Sequence, residues 1–213
     1  MRQARSYAQG QAFLRSAAAP GEVGAPIFSH LEGKFPLRLL TPRASSQNAT
    51  RNAAAYGTAP VKGVGVLFVL NYGGGLVSGD HIDLNFDVGS HTRLLSLTQG
   101  STKVYCERRT GDPPAVRNQA QPARPVSKQY FRYIVRPDAT LIILPAPVTC
   151  FARSRYDQTQ LVDLRDAHTS SLILLDWFTS GRLFVDGPKE STDMDRIPEF
   201  WHFYQYRSRN EVR

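Results

Sequence analysis

Strict alternation of apolar and polar residues constrains this chain more than any other feature. In His81-Ile-Asp-Leu-Asn-Phe-Asp-Val88, the residues Ile82, Leu84, Phe86 and Val88 share one face, and His81, Asp83, Asn85 and Asp87 share the other. That period of two is the signature of a half-buried strand. Lys128–Arg136 repeats it, with Phe131, Tyr133 and Val135 on one side. Ala139–Leu144, Val148–Ala152, Arg155–Leu164, Ser171–Phe178 and Phe200–Tyr206 read as further strands, many of them separated by short gaps holding Pro, Gly, Asp or Ser. No segment carries helical 3,4 spacing over three turns. The expected fold is therefore all-β with very few helices, a single domain of stacked sheets built as a sandwich, roll or solenoid. No internal repeat of fixed period is visible.

Composition narrows the function classes. The 213 residues have a formal net charge of +8, but most of the excess sits in residues 1–60, so a nucleic-acid face on the folded part gains little support. Arg2, Arg5 and Arg15 stand among Ala, Ser and Gln, with Glu22 as the first acidic residue. Residues 1–27 read as a flexible basic extension, with a mitochondrial presequence as the other reading, and 28–213 as the β domain. Residues 43–60 and Arg108–Pro125 read as surface loops, the latter for its four prolines. No apolar run approaches the ~20 residues needed to cross a bilayer. Cys106 and Cys150 are the only cysteines, which excludes a disulfide framework and suits a reducing compartment.

The chemistry-bearing candidates each have a structural reading. Asn71–Asp80 is glycine-rich, but a strand follows it where a phosphate loop needs a helix, so its glycines are expected to take positive φ or let sheets approach closely. Thr98-Gln-Gly-Ser-Thr-Lys-Val-Tyr105 has its Lys after the Ser-Thr pair, the wrong order for a phosphate loop; it reads as a polar turn or a docking surface. None of the five histidines has metal-site spacing, which leaves His81, Cys106 and Cys150 as weak candidates for transient metal contact. Asp176, in the apolar run Leu172–Phe178, needs a partner if buried, and Arg182 is the expected one. No nucleophile elbow marks a catalytic serine, so no catalytic residue is assigned.

The order of blocks carries a resemblance. Phe35-Pro-Leu-Arg-Leu-Leu, Tyr72-Gly-Gly-Gly-Leu-Val-Ser-Gly-Asp, Leu97-Thr-Gln-Gly-Ser-Thr-Lys-Val-Tyr, Leu144-Pro-Ala-Pro-Val and Gly181-Arg follow one another. Over roughly residues 28–211 the chain resembles the UreD family of urease accessory proteins, called UreH in some lineages. The resemblance implies a mostly-β fold of stacked sheets and a non-enzymatic cytoplasmic scaffold for nickel insertion. Its implied partners are apo-urease, accessory protein F and the GTPase accessory protein G, with nickel in transit and no tightly bound cofactor. Gly73, Gly74, Gly75, Gly79, Asp80, Thr98, Gln99, Gly100, Thr102, Lys103 and Tyr105 match the family's characteristic positions, and Gly181 and Arg182 match a further one. Family members continue for several strands past Arg213, so the chain is expected to be C-terminally incomplete. Two readings from other classes stand beside this one: a β-fold hydrolase with a triad drawn from distant strands, and a basic nucleic-acid binder.

Overall fold

A computed structural model describes residues 7–17, 25–42, 63–106, 125–182 and 199–213. The described strands are β1 (Tyr7–Ser16), β2 (Pro26–Gly33), β3 (Leu37–Leu40), β4 (Val64–Asn71), β5 (Gly75–Leu76), β6 (His81–Val88), β7 (Arg93–Thr98) and β8 (Thr102–Val104). They continue as β9 (Ser127–Val135), β10 (Thr140–Leu144), β11 (Val148–Cys150), β12 (Arg155–Leu164), β13 (Ser171–Leu174), β14 (Phe178–Thr179) and β15 (Gln205–Val212). The only described helical turn is a 3-10 turn at Tyr72–Gly74.

These strands stack into three sheets. The first has the order β15-β12-β9-β6-β1-β2, the second β13-β10-β7-β4-β3, and the third β14-β11-β8-β5. Neighbours are parallel throughout, except that β2 runs antiparallel to β1 and β3 to β4. The chain passes first, second, third sheet and back again: β6-β7-β8, β9-β10-β11 and β12-β13-β14 are successive rungs of a three-sided parallel solenoid. A repeat thus exists in space that is not visible in sequence. The reason is spacing: the segments 107–124 and 183–198, outside the described residues, separate the first-sheet strands unevenly. The expected loops at 43–60 and 108–124 also lie outside the described residues.

Several corners recur in the same conformation. Between first and second sheets, His91 and Asp138 take φ of 59° and 60°; between third and first, Gly79 and Arg153 take 90° and 64°. Between second and third, Gly73, Gly74 and Gly100 take 77°, 72° and 78°. A left-handed residue turns the chain sharply within two or three positions; the corners at 145–147, 165–170 and 175–177 turn without one.

The core fills the space between the sheets, with Leu14, Leu67, Leu76, Ile82, Leu84, Val88, Val104, Leu141 and Tyr156 fully buried. Three boundaries differ from the sequence reading. The extension assigned to residues 1–27 does not hold for Tyr7–Ser16: β1 lies inside the first sheet, Ala12 opposite Phe86 and Leu14 opposite Val88. Gly10, poor in strand propensity, leaves room for two core leucines: a Cβ there would stand 2.5 Å from Leu37 Cδ2 and 2.8 Å from Leu84 Cδ1. The run Ser171–Phe178 is two strands, because Leu175–Trp177 turns the corner from second to third sheet. The last strand begins at Gln205, not Phe200.

Candidate functional site

Two features of the solenoid carry chemistry: the corner between second and third sheets, and the interior.

At the corner, blocks distant in sequence interlock. Gly73 and Gly74 form the reversal, and Gly75 is extended but lies so close to β8 that a Cβ would stand 2.3 Å from the Lys103 carbonyl oxygen. Tyr72 N donates to Pro36 O at 2.8 Å, and its ring packs on Phe35 at 5.3 Å. Tyr105 OH donates to Gly73 O at 3.1 Å. In the next rung, Thr98 Oγ1 donates to Gly100 O at 3.1 Å and accepts from Ala146 N at 2.9 Å. Thr102 N donates to Pro147 O at 3.1 Å. Tyr105 meets Phe151 edge-on at 5.2 Å, and the Arg182 guanidinium lies 4.1 Å above the same Phe151 ring. Arg182 Nε donates to Glu199 Oε2 at 2.7 Å, and that pairing holds the Glu199 carboxyl below the usual range against the opposing effect of its burial. Gly181 takes φ of 129°, and a Cβ there would stand 2.2 Å from the Glu199 carbonyl.

The interior changes character along the solenoid axis. In register across the first sheet, Ile82 of β6 stands beside Gln129 of β9, Gln158 of β12 and Ser208 of β15. The next inward row runs Leu84, Phe131, Gln160, Asn210. The early rungs are dry and the late ones polar. Tyr156 OH donates its one proton to Gln129 Oε1 at 2.6 Å, and Gln158 Oε1 lies 2.8 Å from the same oxygen. Gln158 Nε2 donates to Ser208 Oγ at 3.2 Å, and Gln160 Nε2 to Asn210 Oδ1 at 3.0 Å. Ser208 and Asn210 both donate to Asp176 Oδ2, the latter at 2.7 Å. Asp176 therefore ends this network, and the pairing with Arg182 expected from sequence does not form: Arg182 belongs to Glu199. Burial, together with the Asp176 charge, pushes the neighbouring Tyr206 hydroxyl up to about 12.

The network borders a cavity of about 50 Å³, lined by all three sheets and by Asp176 and Trp177. Asn71 Oδ1 also belongs to its wall and is buried without a hydrogen-bond partner among the described residues, an acceptor left for water or a hydrated ion. A second, shallower pocket on the outside shares Val69, Asn71, Thr98 and Thr102 with the first, and adds Gln99 and Gly100.

Comparison with known proteins decides the family. The model of the UreD urease accessory protein family matches residues 9–213. The chain is 33% identical over 189 residues to urease accessory protein 4 of Cryptococcus neoformans, covering 88% of this chain and 52% of that protein. It is 32% identical over 207 residues to urease accessory protein D of Oryza sativa subsp. indica, covering 94% and 55%. For urease accessory protein D of Arabidopsis thaliana the identity is 34% over 179 residues, covering 84% and 47%. The chain belongs to the UreD family of urease accessory proteins. It spans about half the length of the curated relatives it matches.

For a UreD chain, the motif positions have clear places. Gly73, Gly74, Gly75, Thr98, Gly100, Thr102, Tyr105, Gly181 and Arg182 gather along one corner and the adjoining third sheet; Gln99 edges the outer pocket, and the Lys103 side chain is exposed. Gly79 and Asp80 sit at the opposite corner, where Asp80 Oδ2 accepts from Val77 N at 2.8 Å and closes the turn. Among the described residues no three His, Cys, Asp or Glu side chains group as metal ligands, so His81, Cys106 and Cys150 do not assemble with partners of that kind. Cys150 is buried, which pushes its thiol up to about 11. It is thus a neutral thiol at physiological pH. Phe151, Glu199 and the Gln129–Gln158–Gln160 ladder escaped the sequence reading; glutamines at alternate positions of apolar-faced strands were the available signal.

Proposed function

We propose that this chain is a non-catalytic scaffold for urease maturation, guiding nickel toward apo-urease together with accessory proteins F and G in the cytoplasm. The observation that carries the reading is the graded interior: amide, hydroxyl and phenol oxygens line the late rungs, and one carboxylate stands at their end. Oxygen donors of this kind hold a hydrated divalent cation weakly, so a cargo ion can leave again, whereas a thiolate cage would retain it. The neutral Cys150 thiol agrees with that requirement. The corner of interlocked motif blocks keeps the lumen wall rigid while the outer pocket shares Asn71, Thr98 and Thr102 with it. The hydrolase alternative calls for a histidine in a pocket, and neither cavity has one.

The test pairs two measurements in a urease-positive host. Replacing Gln158 and Gln160 together by Leu should lower the nickel content of urease at least severalfold while the chain still co-purifies with accessory protein F. Full nickel loading with the lumen made apolar, or unchanged urease activity after deleting the gene, would defeat the proposal.

A further inference from the structure

The outer faces of the two long sheets differ in kind. On the first sheet they carry His81, Asp83 and Asn85 of β6, Lys128 and Arg132 of β9 and Arg155, Asp157 and Asp163 of β12, with Tyr130, Ile134 and Leu161 among them. On the second sheet ten of the fourteen outward side chains are apolar, the others being Arg38, Arg93, Thr140 and Ser171. Register aligns Val66, Leu95, Ile142 and Ile173 in one row, and Leu40, Phe68, Leu97 and Leu144 in the next. Their neighbours across the pleat, such as Leu67 and Leu141, point inward and are buried, so the sheet is apolar on both faces. Ile173 is 56% exposed and Leu144 40%. Parallel sheets with two apolar faces are covered on both, usually by helices.

The face is large enough to matter. Ten apolar side chains, each taking ~4.8 by ~6.7 Å, together cover roughly 320 Å². That is within the range of the largest patch on an ordinary monomer, which is often functional, and less than half of a standard interface per partner. The only charged side chains on the outward rows are Arg38, beside Leu70, and Arg93, beside Val64. Two copies placed face to face would bring guanidinium groups together with no carboxylate on the face to answer them, which selects against self-association.

We infer that the outer face of the second sheet is a docking surface for an amphipathic helix of another protein, with an aliphatic or aromatic ridge edged by Asp or Glu. The aliphatic rows would take the ridge, and Arg38 and Arg93 would meet the acidic edges. This assignment is independent of the lumen, whose nickel-loading test stands or falls separately.

The experiment uses the full chain and two 18-residue helical probe peptides with the same Leu stripe, one edged with Glu and one with Lys, titrated by fluorescence anisotropy. The Glu-edged peptide should bind about tenfold tighter, as two reversed ion pairs at a partly desolvated face would give. Arg38→Glu with Arg93→Glu, both at exposed positions, should invert the preference, and Ile142→Gln should weaken both peptides. Equal affinities, no binding to either peptide, or a preference unmoved by the double charge reversal would overturn the inference. So would ultracentrifugation showing a dimer that Ile142→Gln dissolves, or vesicle binding by the face in place of the Glu-edged peptide.

Discussion

Gly73 and Gly75 are neighbours in one motif but are required for different reasons. Gly73 turns the corner at φ of 77° with nothing within 4 Å of where a Cβ would stand, whereas Gly75 is extended and pressed against the Lys103 carbonyl. Gly73→Ala should therefore cost about 1 kcal/mol, the left-handed penalty alone. Gly75→Ala should cost more, roughly 1–3 kcal/mol, because two backbones must separate; urea denaturation of both variants measures the difference. Asp87 gives a second prediction. Its burial works against ionisation, but hydrogen bonds from Arg136 at 2.8 Å and Arg15 at 2.9 Å outweigh that and hold the carboxyl below its ordinary value. A depressed carboxylate contributes stability above its unfolded-state pKa and loses it as pH falls through the folded one. Stability should thus drop on acidification from about pH 4 downward, and Asp87→Asn should flatten that part of the profile. At pH 7 the same substitution should cost about 1–2 kcal/mol, moderated by the exposure of both guanidinium groups.

Among the elements, β1 bears the most consequence. It supplies Ala12 and Leu14 to the core and separates β6 from β2. Removing residues 1–17 would expose the β6 edge and strip buried area from Phe86 and Val88, so the truncated chain should be insoluble. Leu14→Ala, at a fully buried site, should lower stability by roughly 2–5 kcal/mol in chemical denaturation. A flexible extension would show neither effect. The apolar outer face of the second sheet belongs to this scale too: a strand apolar on both sides, such as β4, shows no alternation, and Val64–Leu70 is apolar throughout apart from Gly65.

For the molecule as a whole, the polar end of the interior ties the proposed nickel route to stability. Gln158→Leu with Gln160→Leu leaves Tyr156 with Gln129 and Asn210 with Asp176, but takes from the buried Tyr133 hydroxyl its bond to Gln160 Oε1 at 3.4 Å. A buried donor left without its partner costs about 1–3 kcal/mol, so urea denaturation of the double variant should show a loss of that size beside the fall in nickel loading. Period-two alternation in β6 and β9 was enough to establish strands, their inward faces and an all-β chain, because a side chain's face depends on local backbone geometry alone. The motif blocks were enough to point to the family. What the rungs share is decided by stacking. Gln158 is an unremarkable polar residue until Gln129 and Ser208 stand beside it, Asp176 finds its partners 32 and 34 residues away, and an Ala- and Gln-rich segment becomes a central strand. Contacts between parallel strands follow three-dimensional register, and uneven connecting segments conceal that register from any pattern read along the chain.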